Sequence, residues 1–217
     1  MARPTKQSPE RGDARTRLLE AARDIIRKKG FAATSVDDLC QSAGVTKGAF
    51  FHHFKTKEAL GVAAANHWAE TTSALFAAAP YHAPDDPLDR ILAYLDFRKS
   101  IIGGEIFEFT CLVGTMAQEV HDSAPAIRDA CANSILGHAV TLEVDIEAAK
   151  AQRGIVAGWT AESLARHTQA VLQGGFILAK ATGDPDLARE SVDHLIRYLH
   201  QLFGIDAAVS DPTTKEN

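Results

Sequence analysis

Residues 34–60 read Thr-Ser-Val-Asp-Asp-Leu-Cys-Gln-Ser-Ala-Gly-Val-Thr-Lys-Gly-Ala-Phe-Phe-His-His-Phe-Lys-Thr-Lys-Glu-Ala-Leu. Their types and spacing suit them to meeting a polyanion. Two short helical runs are joined by about three residues around Gly44, which can adopt the left-handed conformation that such a turn needs. Cys40 is small enough to let the second run pack closely, and Val45 can plug the corner. This is the pattern of a helix-turn-helix, whose second helix enters a major groove. Thr46 stands at the start of that helix, where free N–H groups and the helix dipole favour a phosphate. Lys47 can reach a phosphate or a guanine edge. Gly48 removes a side chain where the helix must approach the groove floor. Phe50 and Phe54, four apart, are expected to pack inward, leaving Phe51, His52 and His53 to face sugar, phosphate and base edges. Lys57 falls in the first turn of the next helix, where a cation is unfavourable by about 0.3–1 kcal/mol unless an anion answers it. A DNA phosphate would be such an anion, and a lysine extended into water is the alternative.

The charge balance supports this reading. The chain carries a formal net charge of −5, yet residues 1–57 hold 12 Lys and Arg against 6 Asp and Glu, and residues 58–217 hold 11 against 22. A basic head on an acidic body suits a polyanion partner for the head. Charge alone would equally fit a solvated lysine-rich face, and the motif decides between the two.

The elements that position these residues can be read from apolar spacing and caps. Residues 1–12, with Pro4, Pro9 and Gly12, are expected to form a mobile basic arm. A helix follows Asp13 as N-cap, carries the stripe Leu18, Leu19, Ala22, Ile25 and Ile26, and ends at Gly30. Ser35 with Asp38 makes a variant capping box for the next helix. Thr46 caps the third, through about residue 53, and Thr56 the fourth, to about residue 79. Three prolines mark 80–87 as a loop. Further helices are expected over about 88–102, 110–120, 124–152, 160–182 and 185–203, with Asp184-Pro185 as a start signal for the last. The result is an all-α chain of nine helices: a helix-turn-helix domain over 13–57, a second helical domain over 58–206, and a disordered tail over 207–217.

The helix-turn-helix segment resembles the TetR family of regulators. The resemblance covers roughly residues 14–61. It is carried by Gly30-Phe31-Ala32-Ala33-Thr34-Ser35-Val36-Asp37-Asp38-Leu39, by Ala43-Gly44-Val45-Thr46-Lys47-Gly48, and by His53-Phe54-Lys55-Thr56-Lys57-Glu58-Ala59-Leu60. The resemblance implies DNA contacts at Thr34 or Ser35, Thr46, Lys47, Gly48, Phe51, His52, His53 and Lys57. At Phe51-His52 the sequence departs from the hydroxyl-bearing aromatic pair common in the family, so a contact from Phe51 would be apolar only. The resemblance also implies a regulator, by default a repressor, that binds a palindromic double-stranded operator as a homodimer and is released by a small organic effector. It implies that the C-terminal half binds the effector among its middle helices and dimerises through its last two.

For the effector pocket the middle helices offer His67, Trp68, Tyr94, Phe97, Arg98, Phe107, Cys111, Met116, Glu119 and His138. Aromatic and occasional polar residues suit an organic ligand, and they also occur in any core. For the dimer, the paired Gly174-Gly175 inside a helix asks for close helix approach, since each glycine costs about 0.8–1 kcal/mol relative to alanine. Phe176, Ala179, Leu195 and Leu199 extend that surface, with a monomer core as the alternative.

Other functions find less support. An enzyme built on Cys111 with His121 or His138 lacks a nucleophile elbow, a phosphate loop or paired carboxylates. A metal sensor built on His121, His138 and Cys131 lacks ligand spacing. No cofactor and no metal are expected. Cys40, Cys111 and Cys131 form neither a disulfide framework nor a metal ladder and read as small apolar residues. No stretch approaches the roughly 20 apolar residues of a membrane span, and no secretory signal opens the sequence, so a cytoplasmic protein without a membrane partner is expected.

Overall fold

The computed structural model describes residues 13–205. The expected arm over 1–12 and tail over 207–217 lie outside the described residues. Within them the chain is helical: α1 (Ala14–Lys29), α2 (Val36–Ala43), α3 (Lys47–His53), α4 (Lys57–Ala77), α5 (Pro87–Ser100), α6 (Ile106–Phe109), α7 (Leu112–Val120), α8 (Pro125–Gln152), α9 (Ala161–Thr182) and α10 (Asp186–Leu202), with a 3-10 turn at Pro80–His82. No strand occurs among the described residues.

The helix starts follow from capping chemistry. Asp13 accepts from the Thr16 N–H at 2.8 Å, and Ser35 and Asp38 satisfy one another's orphan N–H groups in a full capping box. Thr46 and Thr56 accept from the N–H groups three residues on, Ala49 and Ala59. Asp86 caps α5, whose first residue is Pro87, one residue earlier than expected from the apolar spacing. At the last helix the start moves the other way. Asp184 accepts from the Asp186 N–H at 2.9 Å, and Pro185 stands just outside α10 rather than at its first position. Two short elements were not expected. Residues 80–82 wind into a single 3-10 turn, and α6 occupies four residues after the Gly103-Gly104 break. Neither is long enough to show an apolar stripe, and with α6 the described residues hold ten α-helices where nine are read from the sequence.

The described residues group into two units. The first holds residues up to 79 together with 103–138, and the second holds 80–102 and 139 onward. In the first unit, Leu18, Leu19, Ala22 and Ile26 of α1 meet Leu39 and Cys40 of α2, Phe50 of α3, Leu60, Ala64 and Ala65 of α4, and Leu112, Val113 and Met116 of α7. By packing, then, α6, α7 and the first part of α8 group with the N-terminal helices. The second unit is built on α5, α9 and α10. Among the described residues no helix is long and apolar enough to cross a membrane.

Candidate DNA-binding surface

The turn between α2 and α3 is closed by Gly44 in the left-handed conformation, φ 61° and ψ 42°, whose N–H returns to the carbonyls of Cys40 and Gln41. Arg17 of α1 donates to the carbonyls of Ala43 and Gly44 at 3.0 and 3.2 Å, so α1 ties down the end of α2. Phe50 and Phe54 are buried, as their spacing predicts, and seat α3 on the core. The opposite face of α3 is open: Thr46, Lys47, Gly48 and His52 are exposed, Phe51 is 48% exposed, and His53 is half-buried. Phe51 stands edge-on to Phe50, and His52 edge-on to His53.

Three candidate residues have partners the sequence did not reveal. Lys47 pairs with Asp37 of α2 at 2.8 Å, and this carboxylate raises the lysine's pKa. Lys57 donates to the carbonyls of Phe31, Ala32 and Thr34 at 3.0, 3.4 and 2.9 Å, and its ammonium lies over the Phe31 ring. The negative partner that a lysine at a helix start requires is thus supplied by the chain itself, and the helix-dipole argument no longer calls for a phosphate. Thr34 is 1% exposed, with its hydroxyl donating to the Gly30 carbonyl at 2.6 Å. The alternative of a DNA contact from its side chain is corrected on that ground, and Ser35 is the exposed member of the pair.

A buried cation was also missed. Arg27 of α1 donates to the carbonyls of Arg23, Glu108 and Thr110, pairs with Asp24, and stacks over Trp68. Its spacing of four from Arg23 and of eight from Leu19 places it beside the apolar stripe. That position was the available signal, but an arginine there is usually solvated.

The candidate pocket residues divide between the units. In the first, Trp68 lies under Arg27, Phe107 under Lys28, and His138 against Phe76. His67 is half-buried and Met116 belongs to the core. The Cys111 thiol accepts from the Gly114 N–H at 3.4 Å at the start of α7. Glu119 is committed elsewhere: its carboxylate accepts from the Ala32 N–H at 2.9 Å. In the second unit, Tyr94 is buried, its hydroxyl accepts from Gln169 at 3.4 Å, and its ring meets Tyr81 edge-on. Phe97 also meets Tyr81, and Arg98 lies over the rings of Tyr94 and Phe176. Burial pushes the Tyr81 hydroxyl up to about 12.

The expected dimer residues need a larger correction. Gly175, Phe176, Ala179, Leu195 and Leu199 are all buried within the chain. A Cβ on Gly175 would stand 3.3 Å from the Ala188 backbone, so this glycine serves the approach of α10 to α9 inside one chain. Gly174 is different, since a Cβ there would meet nothing within 4 Å. It shares the outer face of α9 with Ile177 and Leu178, 46% and 50% exposed.

Cys40 and Cys131 are buried and Cys111 half-buried, all as free thiols, and burial pushes Cys131 up to about 12. Among the described residues no three metal-ligating side chains cluster.

Comparison with known proteins accords with this geometry. Residues 18–64 match the model for bacterial regulatory proteins of the tetR family. Residues 87–195 match the model for a tetracyclin repressor-like C-terminal domain. The HTH-type transcriptional regulator TtgR of Pseudomonas putida is 36% identical over 88 residues, 41% of either chain. The transcriptional regulator AcuR of Cereibacter sphaeroides is 26% identical over 113 residues, 52% of either chain. The alignments to the first curated relatives span only about a fifth to a half of those proteins. A TetR transcriptional regulator from Chloroflexus aurantiacus superposes with a TM-score of 0.76 at 25% identity, covering 87% of this chain and 95% of that one. With both of its parts matched by that family's models, the chain belongs to the TetR family of bacterial regulatory proteins.

Proposed function

We propose that the protein is a transcriptional regulator that binds a palindromic operator as a homodimer, acts as a repressor in the cytoplasm, and is released by a small organic effector. One observation carries the DNA-binding part. The exposed face of α3 combines a threonine-capped start, a lysine, a glycine and an aromatic-imidazole pair, while its other face is fixed to the core by Phe50 and Phe54. A helix so held can enter a major groove without rearranging. In this reading Thr46 and Ser35 meet phosphates, Lys47 reads a base edge, Gly48 permits close approach, and Phe51, His52 and His53 line the groove wall. The domain boundary then falls near residue 57, with α4 onward serving regulation.

Dimerisation is assigned to the outer face of α9, where Ile177 and Leu178 are exposed and a Cβ on the half-buried Gly174 would have free space among the described residues, with Tyr198 of α10 also exposed. The effector reading is supported by the second unit's aromatic cluster of Tyr81, Tyr94 and Phe97, with Arg98 over the Tyr94 and Phe176 rings. The test is selection of duplexes from a random pool by the protein, followed by anisotropy titrations of the enriched sequence. The reading expects an enriched palindrome with half-sites about 34–36 Å apart, bound by a protein of twice the chain mass. Absence of any enriched sequence would overturn it.

A further inference from the structure

The link between α1 and α2, residues 30–34, is held from two sides by helices that follow α3 in the chain. Lys57 of α4 takes its carbonyls, at Phe31 and Thr34. Glu119 of α7 takes an N–H, that of Ala32. The same carboxylate lies so close over Gly30 that a Cβ there would fall 2.2 Å from Glu119 Oε1. Gly30 also has φ 90°, a conformation that side-chain-bearing residues rarely adopt. The link is pegged as well as clamped. The Phe31 ring is buried, and at Gly61 of α4 a Cβ would stand 2.8 Å from that ring and 2.7 Å from Ile127 of α8.

Immediately after the link come Ser35 and the capping box that starts α2, and α2 is joined to α3 by the tight turn at Gly44. Whatever fixes residues 30–34 therefore fixes the start of α2, and through it the pitch of α3. We infer that Glu119 is a positioning residue for DNA recognition: from α7, inside the stretch that matches the C-terminal domain model, it sets the link and so the presentation of the α3 surface. The inference rests on the proposed DNA reading by α3. It gives Glu119 a task unconnected with an effector pocket, and it makes the Ala32 N–H a polar point of coupling between α7 and the reading helices, beside the apolar packing of Leu112, Val113 and Met116.

The test compares wild type, Glu119→Gln and Glu119→Ala. Both variants remove the same charge, so the difference between them reads the accepting side chain, its oxygen and the stem that carries it, rather than the charge. The probes are a duplex selected from a random pool by the wild-type protein and a random-sequence duplex of equal length, with melting temperature and amide exchange at Ala32 measured alongside. The expected result for Glu119→Ala is faster exchange at Ala32, a melting temperature lowered by no more than about a few degrees because the bond is exposed to solvent, an unchanged random-duplex affinity, and a loss of more than about threefold, up to about tenfold, on the selected duplex. Glu119→Gln, which can still accept from Ala32, is expected to stay within about threefold of wild type. Wild-type affinity in Glu119→Ala, unchanged exchange at Ala32, or Gln behaving as Ala would overturn the assignment. So would an equal loss on both duplexes with a melting temperature lowered by more than a few degrees, the mark of a merely structural role. Failure of the wild type to enrich any duplex would instead overturn the DNA reading beneath it.

Discussion

Lys57 donates to the Phe31 carbonyl at 3.0 Å while its ammonium sits 4.5 Å from the centroid of the same residue's ring. One cation thus engages both the backbone and the side chain of a residue 26 positions earlier. Charge-assisted hydrogen bonds contribute about 1.5–3 kcal/mol and a cation over an aromatic face about 0.5–1 kcal/mol, each less where water competes. Lys57→Met keeps most of the stem and removes the charge. It is expected to lower stability by about 1–2 kcal/mol in denaturant unfolding. The salt dependence of DNA binding is expected to stay as in wild type, because this charge faces carbonyls. A fall in the slope of log affinity against log salt by about one per contact would restore the phosphate role.

Much of this arrangement was legible in the residues. The caps at Asp13, Ser35, Thr46 and Thr56, the left-handed Gly44 and the inward Phe50 and Phe54 all follow from local rules, because each involves groups within four residues of one another. The family resemblance rested on the same stretch. Contacts between distant elements were not legible. Nothing in the spacing shows that Glu119 meets Ala32 or that Arg27 reaches the Glu108 carbonyl, 81 positions away. The same limit produced the error at Gly175. A paired glycine signals close helix approach, but the sequence does not say whether the approaching helix belongs to the same chain. The answer came from Ala188 of α10.

Asp37 places a carboxylate on Lys47, a lysine proposed to read DNA. Both side chains are exposed, so the pair itself adds little stability. Its effect is on binding: the lysine must leave Asp37 to meet a guanine edge, and the carboxylate stays near the phosphates. Asp37→Asn is expected to tighten binding to specific and random duplexes alike, by about three- to tenfold at low salt, with the gain shrinking as salt rises. Lys47→Ala is expected to cost about 1–3 kcal/mol and to relax preference at one base pair per half-site. Anisotropy titrations on a panel of single-base variants separate the two effects, and equal loss on every sequence would make Lys47 a phosphate contact instead.

Asp38 gives the reading head a pH dependence. Its hydrogen bond from Lys29, then those from the Ser35 N–H and hydroxyl, hold its carboxyl well below the ordinary value of 3.8. A group whose folded pKa is depressed adds stability that is fully present above its unfolded pKa and is lost as pH falls through the folded value. The contribution is therefore constant from neutral pH down to the ordinary carboxylate range and declines only below it. Asp38→Asn keeps an acceptor for the capping box but has no proton to bind. Thermal melts are expected to show wild type losing its advantage over Asp38→Asn in strong acid. A difference that does not change with pH would assign the effect to cap geometry rather than to ionisation.

The two glycines of α9 separate folding from assembly. Gly175 faces α10, with Ala188 Cα and Ser191 Cβ both 3.3 Å from where a Cβ would stand. Leucine there must push a backbone aside, and overpacking of this kind costs about 1–3 kcal/mol. Gly175→Leu is expected to lower the stability of the chain itself. A Cβ at Gly174 would meet nothing within 4 Å among the described residues, and replacing a helical glycine with leucine gains up to about 1 kcal/mol in intrinsic helix stability. If the outer face of α9 is where two copies meet, that gain is opposed in the assembly, because the new side chain intrudes where the helices approach. Gly174→Leu is then expected to weaken association in sedimentation equilibrium while helicity is kept, and Ile177→Arg to do the same by placing a charge on that face. The melting temperature of wild type is expected to rise with protein concentration, as it does for any fold stabilised by its own association. A wild-type chain that sediments as a monomer at micromolar concentration, or Gly174→Leu and Ile177→Arg proteins that associate as wild type does, would take the dimer contact away from this face.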